Sequence, residues 1–413
     1  MDAGLRNYFV VTAGYWAFTV TDGAIRMLVV LYFHLLGYSP FEVAMLFLFY
    51  EFFGVVTNLV GGWLGARIGL NLTMHIGMAM QVVALLMLTV PDAWLSVSYV
   101  MTAQALSGVA KDLNKMSAKA SVKAMVGMAG ESTLFRYVAL LTGSKNALKG
   151  AGFFIGAALL DQIGFRNTLC VLASLLALVL AATAAVLPRG VGKTSARPKF
   201  TQVFSNRAEI NWLAGARFFL FGARDVWFVV GLPVFLYSVL GWSFTQVGSF
   251  FAAWVIVYGL VQAAAPRLVR RSHDGAGPSG ATARGWAFAL AVLPALMAIG
   301  LHQGWDARWV VVGGLVLFAV VFAINSALHS YLILAYSDFD KVSMNVGFYY
   351  MANAGGRLAG TVLSGWAYQA HGLVGCLWWS TAFVAAAALL SLRLPNVTPP
   401  GAGRRQPTVE GIG

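Results

Sequence analysis

Apolar stretches, each about as long as a bilayer crossing, recur from one end of the chain to the other, with short polar connections between them. A helix needs ~20 largely apolar residues to cross a ~30 Å hydrocarbon core. The pattern predicts spans over 8–35, 41–63, 72–90, 94–117, 131–160 and 165–187, then over 209–239, 245–268, 283–302, 308–336, 342–369 and 371–393. The expected organisation is an all-α membrane protein: an N-terminal six-helix bundle over 1–187, a basic linker over 188–208, a C-terminal six-helix bundle over 209–394, and a Gly- and Pro-rich tail over 395–413, expected to be disordered. The first apolar run begins near Tyr8, with no basic segment or small-residue cleavage site before it, so it is expected to be the first span and not a removed leader.

Composition narrows the class. Of 413 residues, 59% are hydrophobic and 10% charged, too little polar surface for a water-soluble domain of this length. Paired carboxylates, zinc-ligand spacing and nucleophile motifs are missing, and no soluble catalytic domain is left over, so an enzyme is not expected. Cys170 and Cys376 are isolated and suggest neither a disulfide framework nor a metal site, and no cofactor is expected. The net charge of +13 raises the question of nucleic acid or anionic lipid, and its placement answers it. With both termini cytoplasmic, the inner loops and tails hold 17 Lys/Arg and the outer loops only Arg166 and Arg308. That bias predicts a multi-pass protein of an inner, plasma-type membrane, with lipid and not nucleic acid as its surroundings.

The two halves resemble each other. Leu36-Gly37-Tyr38-Ser39 with Val43 recurs as Leu240-Gly241-Trp242-Ser243 with Val247, and Gly152 and Gly164 match Gly360 and Gly372. Parallel repeats of this kind are the mark of a two-bundle transporter with a binding site between the bundles.

Nine cations remain inside the spans: Arg26, Lys111, Lys115, Arg136, Lys145, Lys149, Arg217, Arg224 and Arg357. Four acids join them away from the span ends: Asp22, Glu51, Asp112 and Asp225. Facing lipid, nine cations would cost on the order of 20–30 kcal/mol, so most must snorkel, pair or line a wet cavity. Lys145 and Lys149 lie four residues apart on one helix face, and two unpaired ammonium groups so placed would be relieved by an anion between them. The 208-residue offset sets Arg357 opposite Lys149 and Asn353 opposite Lys145, which predicts a clamp across the central axis. Lys145, Lys149 and Arg357 scattered toward lipid, or each locked to a carboxylate, would remove the ground for that clamp. Lys111, Lys115, Lys119 and Lys123 form a basic stripe that reads either as an anion funnel or as an ordinary inner helix end.

Other positions leave alternatives open. Asp22 and Arg26 fit a structural ion pair as well as a substrate role; Arg224 fits cavity lining or an interbundle pair; and Arg224 and Asp225, pointing about 100° apart, are not expected to pair with each other. Arg217 shares the face of Arg224. Glu51, alone in mid-span, is either neutral or a proton carrier, and Asp22 is the other candidate for proton coupling. Asn58 and Gln262 match across the repeat as interhelical glue, and His329 fits a packing donor.

One signature of the major facilitator superfamily, G-x-x-x-D-R-x-G-R-R between the second and third spans, is met only at Gly62, Arg67 and Gly69, with Ala66 in place of the acid and Leu70-Asn71 in place of the basic pair. Over its whole length the chain nevertheless resembles the ArsJ-type organoarsenical efflux permeases of that superfamily. The resemblance is carried by Tyr15-Trp16-Ala17-Phe18 leading to Thr21-Asp22-Gly23, by Gln104 to Gly108 before Lys111-Asp112, by Leu141 to Gly150, and by Phe218 to Phe235 around Arg224-Asp225. It implies the major-facilitator fold of twelve transmembrane helices in two pseudo-symmetric bundles. It also implies export of 1-arseno-3-phosphoglycerate, made when glyceraldehyde-3-phosphate dehydrogenase uses arsenate in place of phosphate, so that enzyme is the expected functional partner. Assigning Lys111, Lys145, Lys149, Arg26, Arg224, Arg357 and Asn353 to substrate rests on position in the spans, not on the resemblance. The competing reading is an organic-phosphate or carboxylate permease of the same fold. A cationic-drug exporter fits the positive surplus poorly, and a non-transporting sensor would leave the mid-span charge unexplained.

Overall fold

Among the described residues of the computed structural model (3–126, 131–188, 207–269, 278–336 and 342–395) every long element is a helix. The interior of the expected linker and nearly all of the expected tail lie outside the described residues, as do the side chains of Lys119, Lys123 and Arg136. The helices are α1 (Ala3–Leu35), α2 (Pro40–Leu46), α3 (Leu48–Ile68), α4 (Leu70–Met87), α5 (Val97–Val126), α6 (Glu131–Ile163), α7 (Phe165–Val186), α8 (Ala208–Phe228), α9 (Gly231–Ser238), α10 (Phe244–Leu268), α11 (Gly280–His302), α12 (Ala307–Tyr336) and α13 (Val342–Ser391).

Nine stretches among the described residues are long and apolar enough to cross a membrane. The last, Phe348–Ser391, is 44 residues long, about 66 Å of helix, or twice a hydrocarbon core. It breaks at Gly372, whose φ of 61° ends one crossing and starts the next. Helices α5 and α6, 30 and 33 residues long, are also long enough to cross, but the charges singled out above lower their hydropathy. The helices thus accommodate the twelve expected crossings. Two expected spans are interrupted. The second breaks at Phe47 between α2 and α3, and the seventh breaks at Val229–Val230 between α8 and α9. The Ser364 hydroxyl on α13 accepts from the N–H groups of both Val230 and Gly231 at 3.1 Å, so the second break leaves neither donor bare in an apolar interior.

The sequence repeat is also a structural one. Ser39 and Ser243 each cap a helix through a capping box, closed by Glu42 and Gln246 respectively. Gly37 and Gly241, and likewise Gly164 and Gly372, all take positive φ at equivalent turns. Tight backbone packing builds each half. A Cβ on Gly23 of α1 would lie 2.6 Å from the Lys149 carbonyl oxygen of α6, and one on Gly360 of α13 would lie 2.6 Å from the Gly222 carbonyl oxygen of α8.

The halves meet along α6 against α10, where Gly150 packs on Ala252, and along α2–α3 against α13. At the face carrying the 36–39 and 239–243 turns the interface is closed by side chains. His34 Nε2 meets Ser238 Oγ at 2.7 Å, residues related by the 204-residue repeat offset. Thr245 donates to Asp161 at 2.9 Å, and the Phe41 amide donates to Gln369 at 3.2 Å.

Candidate functional site

Six crossings bring their ionisable residues to one place between the halves. Helix α1 supplies Asp22 and Arg26, α3 supplies Glu51, α5 supplies Lys111, Asp112 and Lys115, and α6 supplies Lys145 and Lys149. From the second half, α8 supplies Arg224 and Asp225, and α13 supplies Asn353 and Arg357. A cavity of about 60 Å³ lies at the centre; Asp22, Glu51, Lys111, Lys145, Lys149, Asn353 and Arg357 all line it. Of the nine expected positions, only Arg26 and Arg224 are absent from its wall.

The pairing departs from expectation. Lys149 Nζ lies 3.2 Å from Asp22 Oδ2. Arg357 reaches Glu51 Oε1 at 2.6 Å and Asp225 Oδ2 at 3.1 Å. Both cations therefore have carboxylate partners, and the clamp of unpaired positive groups is corrected to a network in which internal acids already neutralise part of the charge. Sequence spacing could not show this, because each partner comes from another helix. Arg26 pairs not with Asp22 but with Glu51, at 2.7 Å, with its guanidinium beside the Phe47 and Tyr50 rings. Glu51, expected to stand alone, is 1% exposed and takes both guanidinium groups on the same oxygen. Arg224 and Asp225, not expected to pair, do so: the long arginine side chain folds back so that its Nε donates to Asp225 Oδ1 at 2.6 Å. Helix geometry separates the Cα–Cβ directions of neighbours but not the ends of flexible side chains. The Arg224 guanidinium lies among the Phe221, Phe228 and Phe322 rings, behind the cavity wall.

Helix α5 anchors the rest. Asp112 holds Lys115 at 3.0 Å and Lys111 at 3.8 Å, Lys115 also donates to Asn58 at 3.1 Å, and Lys111 sits 4.0 Å from the centre of the Tyr50 ring. Asn58 thus joins α3 to α5, and Gln262 joins α10 to α12 through Ser326 at 3.3 Å, as interhelical glue should. Tyr50 had escaped notice in the sequence. Its hydroxyl donates to Asp22 Oδ1 at 2.5 Å, and its ring lies beside both Lys111 and Arg26. The only hint was an aromatic residue with a polar tip next to a mid-span acid.

The cavity wall carries five cations (Lys111, Lys115, Lys145, Lys149, Arg357) and three carboxylates (Asp22, Glu51, Asp112). Adding Arg26, Arg224 and Asp225 behind the wall gives seven against four, a surplus of three positive charges in a low-dielectric interior. Such a surplus attracts anions and repels cations. Arg357 also ties the halves together, bridging Glu51 of the first to Asp225 of the second.

Two repeat-related helical halves with a charged cavity between them are the arrangement of a two-bundle transporter. The sequence model of the Major Facilitator Superfamily matches residues 9–338, and the chain belongs to that family. A comparison with curated proteins finds no match. Among solved structures, a nucleoside transporter, NupG (D323A mutant), superposes with a TM-score of 0.72 at 13% identity, covering 95% of this chain and 98% of that one. A structure described as giving insight into substrate recognition in proton dependent oligopeptide transporters gives 0.69 at 15% identity, covering 94% and 97%. A bacterial homologue of the iron transporter ferroportin, in an inward-facing state, gives 0.69 at 16% identity, covering 94% and 98%. At these identities the likeness is one of fold. The chain is thus a membrane transporter of the secondary-transporter kind.

Proposed function

We propose that this chain exports a small organic anion carrying several negative charges, and that its cargo is 1-arseno-3-phosphoglycerate. The carrying observation is the surplus of three positive charges around a cavity walled by both halves. Arginine offers a planar fork and lysine a mobile point charge, a combination suited to the oxyanions at the two ends of such an ester. The resemblance of the Asp22, Lys111, Lys145–Lys149 and Arg224 segments to organoarsenical permeases narrows the class to this ester.

The mechanism follows from the pairing. A cavity of about 60 Å³ is far smaller than the ~300 Å³ of small-ligand pockets, so loading requires the halves to part. The entering anion competes with Glu51 for Arg357 and with Asp22 for Lys149, replacing internal carboxylates by its own oxygens. Release restores the internal pairs. A ligand drives this exchange only by binding one state better than another, and breaking an interhalf ion pair makes the affinity depend on conformation. A proton taken up by Asp22 or Glu51 as its cation turns to the ligand would couple transport to a gradient.

The test uses everted membrane vesicles supplied with arsenate, glyceraldehyde 3-phosphate, NAD and the dehydrogenase. Arsenic accumulates only when all four are present. Uptake of arsenate by itself refutes the ester as cargo, and uptake of unmodified organic phosphates or carboxylates in its place establishes the competing permease. Lys149→Ala and Arg357→Ala each reduce uptake at least tenfold or so at normal expression; wild-type uptake in both removes these residues from the site. Asp22→Asn or Glu51→Gln abolishes dependence on a pH gradient if that acid carries the proton, and unchanged dependence in both excludes them.

A further inference from the structure

Arg217 on α8 is buried at 5% exposure and, among the described residues, makes no ion pair. Its donors go to neutral oxygens. Nε donates to Asn353 Oδ1 at 2.9 Å, and one terminal nitrogen reaches Ser326 O and Oγ at 3.3 Å each. The guanidinium stacks 3.8 Å from the centre of the Phe221 ring, with the Tyr349 ring at 5.0 Å. A buried guanidinium held without a carboxylate is costly, so what its contacts accomplish matters.

Asn353 lies one helical turn before Arg357 on α13 and lines the central cavity. An amide has a donor end and an acceptor end, and a side chain free to turn about its last bond can show the cavity either one. Arginine nitrogens only donate, so the Arg217 contact consumes the Asn353 carbonyl and fixes the orientation of the amide. The remaining end is Nδ2, a two-proton donor that makes no hydrogen bond among the described residues. We infer that Arg217 is a positioning residue that locks Asn353 as a pure donor toward the cavity, favouring an oxyanion and excluding ligands that need an acceptor there. The inference rests on reading the cavity as an anion site.

Purified full-length protein tests it by thermal-shift titration, with 3-phosphoglycerate and inorganic phosphate as probes. A hydrogen bond to a charged ligand predicts that Asn353→Ala weakens 3-phosphoglycerate binding about tenfold or more. Arg217→Met, which has no donor, should do nearly the same, and Arg217→Met with Asn353→Ala should be no weaker than Asn353→Ala alone, because the two act as one unit. Arg217→Lys, which still donates to the carbonyl, should recover part of the loss. If Arg217→Met fails to fold, N353D decides: it keeps an acceptor for Arg217 but replaces the cavity-facing donor by an oxygen, and should lose both probes while folding normally. Ser326→Ala, which removes the other side-chain contact of Arg217, should lower the melting temperature without changing affinity. Wild-type affinity in Arg217→Met, in Asn353→Ala or in N353D overturns the inference, as does a double variant whose loss is the product of the single losses. Absence of saturable anion binding to the wild type overturns it too, and is the one result that also removes the anion reading of the cavity.

Discussion

Glu51→Gln is the substitution whose consequences the structure defines most sharply. One carboxylate oxygen accepts from Arg26 at 2.7 Å, within the first half, and from Arg357 at 2.6 Å, across the interface. Removing one partner of a buried ion pair costs about 3–5 kcal/mol, because the other charge is left uncompensated. The interhalf share is smaller than that. Arg357 keeps Asp225 at 3.1 Å and is 18% exposed, which together reduce its loss to about 2–3 kcal/mol. At one tenfold step per ~1.4 kcal/mol, the conformation in which Glu51 and Arg357 meet becomes about 30- to 140-fold less favoured relative to the one in which they part. The closed turn face reports the change. His34 and Ser238 touch there at 2.7 Å, so a His34→Cys, Ser238→Cys pair in a Cys170→Ser background should cross-link rapidly. Adding Glu51→Gln should slow cross-linking by up to the same roughly 30- to 140-fold if the faces alternate, the full factor applying where the closed state is the minor one. Arg26, left without an ion-pair partner among the described residues, should separately lower the melting temperature. An unchanged cross-linking rate would show that the Glu51–Arg357 bridge does not bias the equilibrium between states, and would refute the coupling of charge pairing to movement.

Two further substitutions test the scaffold that holds the site. Ser364→Ala removes the acceptor of the Val230 and Gly231 amides at the α8–α9 break; each unsatisfied buried donor costs about 1–3 kcal/mol, so the melting temperature should fall clearly, and an unchanged value would mean that the break is satisfied some other way. Gly23→Ala drives a Cβ to 2.6 Å from the Lys149 carbonyl oxygen, a backbone contact that cannot move aside cheaply. The expected loss is about 1–3 kcal/mol of stability, together with a displaced Lys149 and impaired transport, measured as lower expression and uptake; wild-type behaviour in both would show that α1 and α6 are less tightly apposed than the structure has them.

The sequence by itself determined the class of architecture. In lipid every crossing must be a helix of bilayer length with an apolar surface, so the run lengths alone located most of the helices to within a few residues, although α5 runs nine residues past its expected end at 117. The internal repeat was equally legible: Leu36–Ser39 and Leu240–Ser243 recur where the structure places equivalent turns, and the caps of Ser39 with Glu42 and Ser243 with Gln246, which the sequence reading passed over, are local patterns of the same kind. The cost of charge in lipid also singled out, without coordinates, nearly all the residues that gather between the halves. Only the tertiary structure decided who pairs with whom. Lys149 meets Asp22 at a separation of 127 residues and Arg357 meets Glu51 at 306, distances over which helix periodicity carries no information. Tyr50 beside Asp22, and Arg217 behind Asn353, were hidden for the same reason: a side chain's partner depends on helix crossing and rotation, which are set by close glycine contacts such as Gly23 against Lys149 and not by any local pattern. Composition along the chain dictates which groups must leave the lipid, while packing in three dimensions dictates which of them neutralise one another and how much positive charge is left for a ligand.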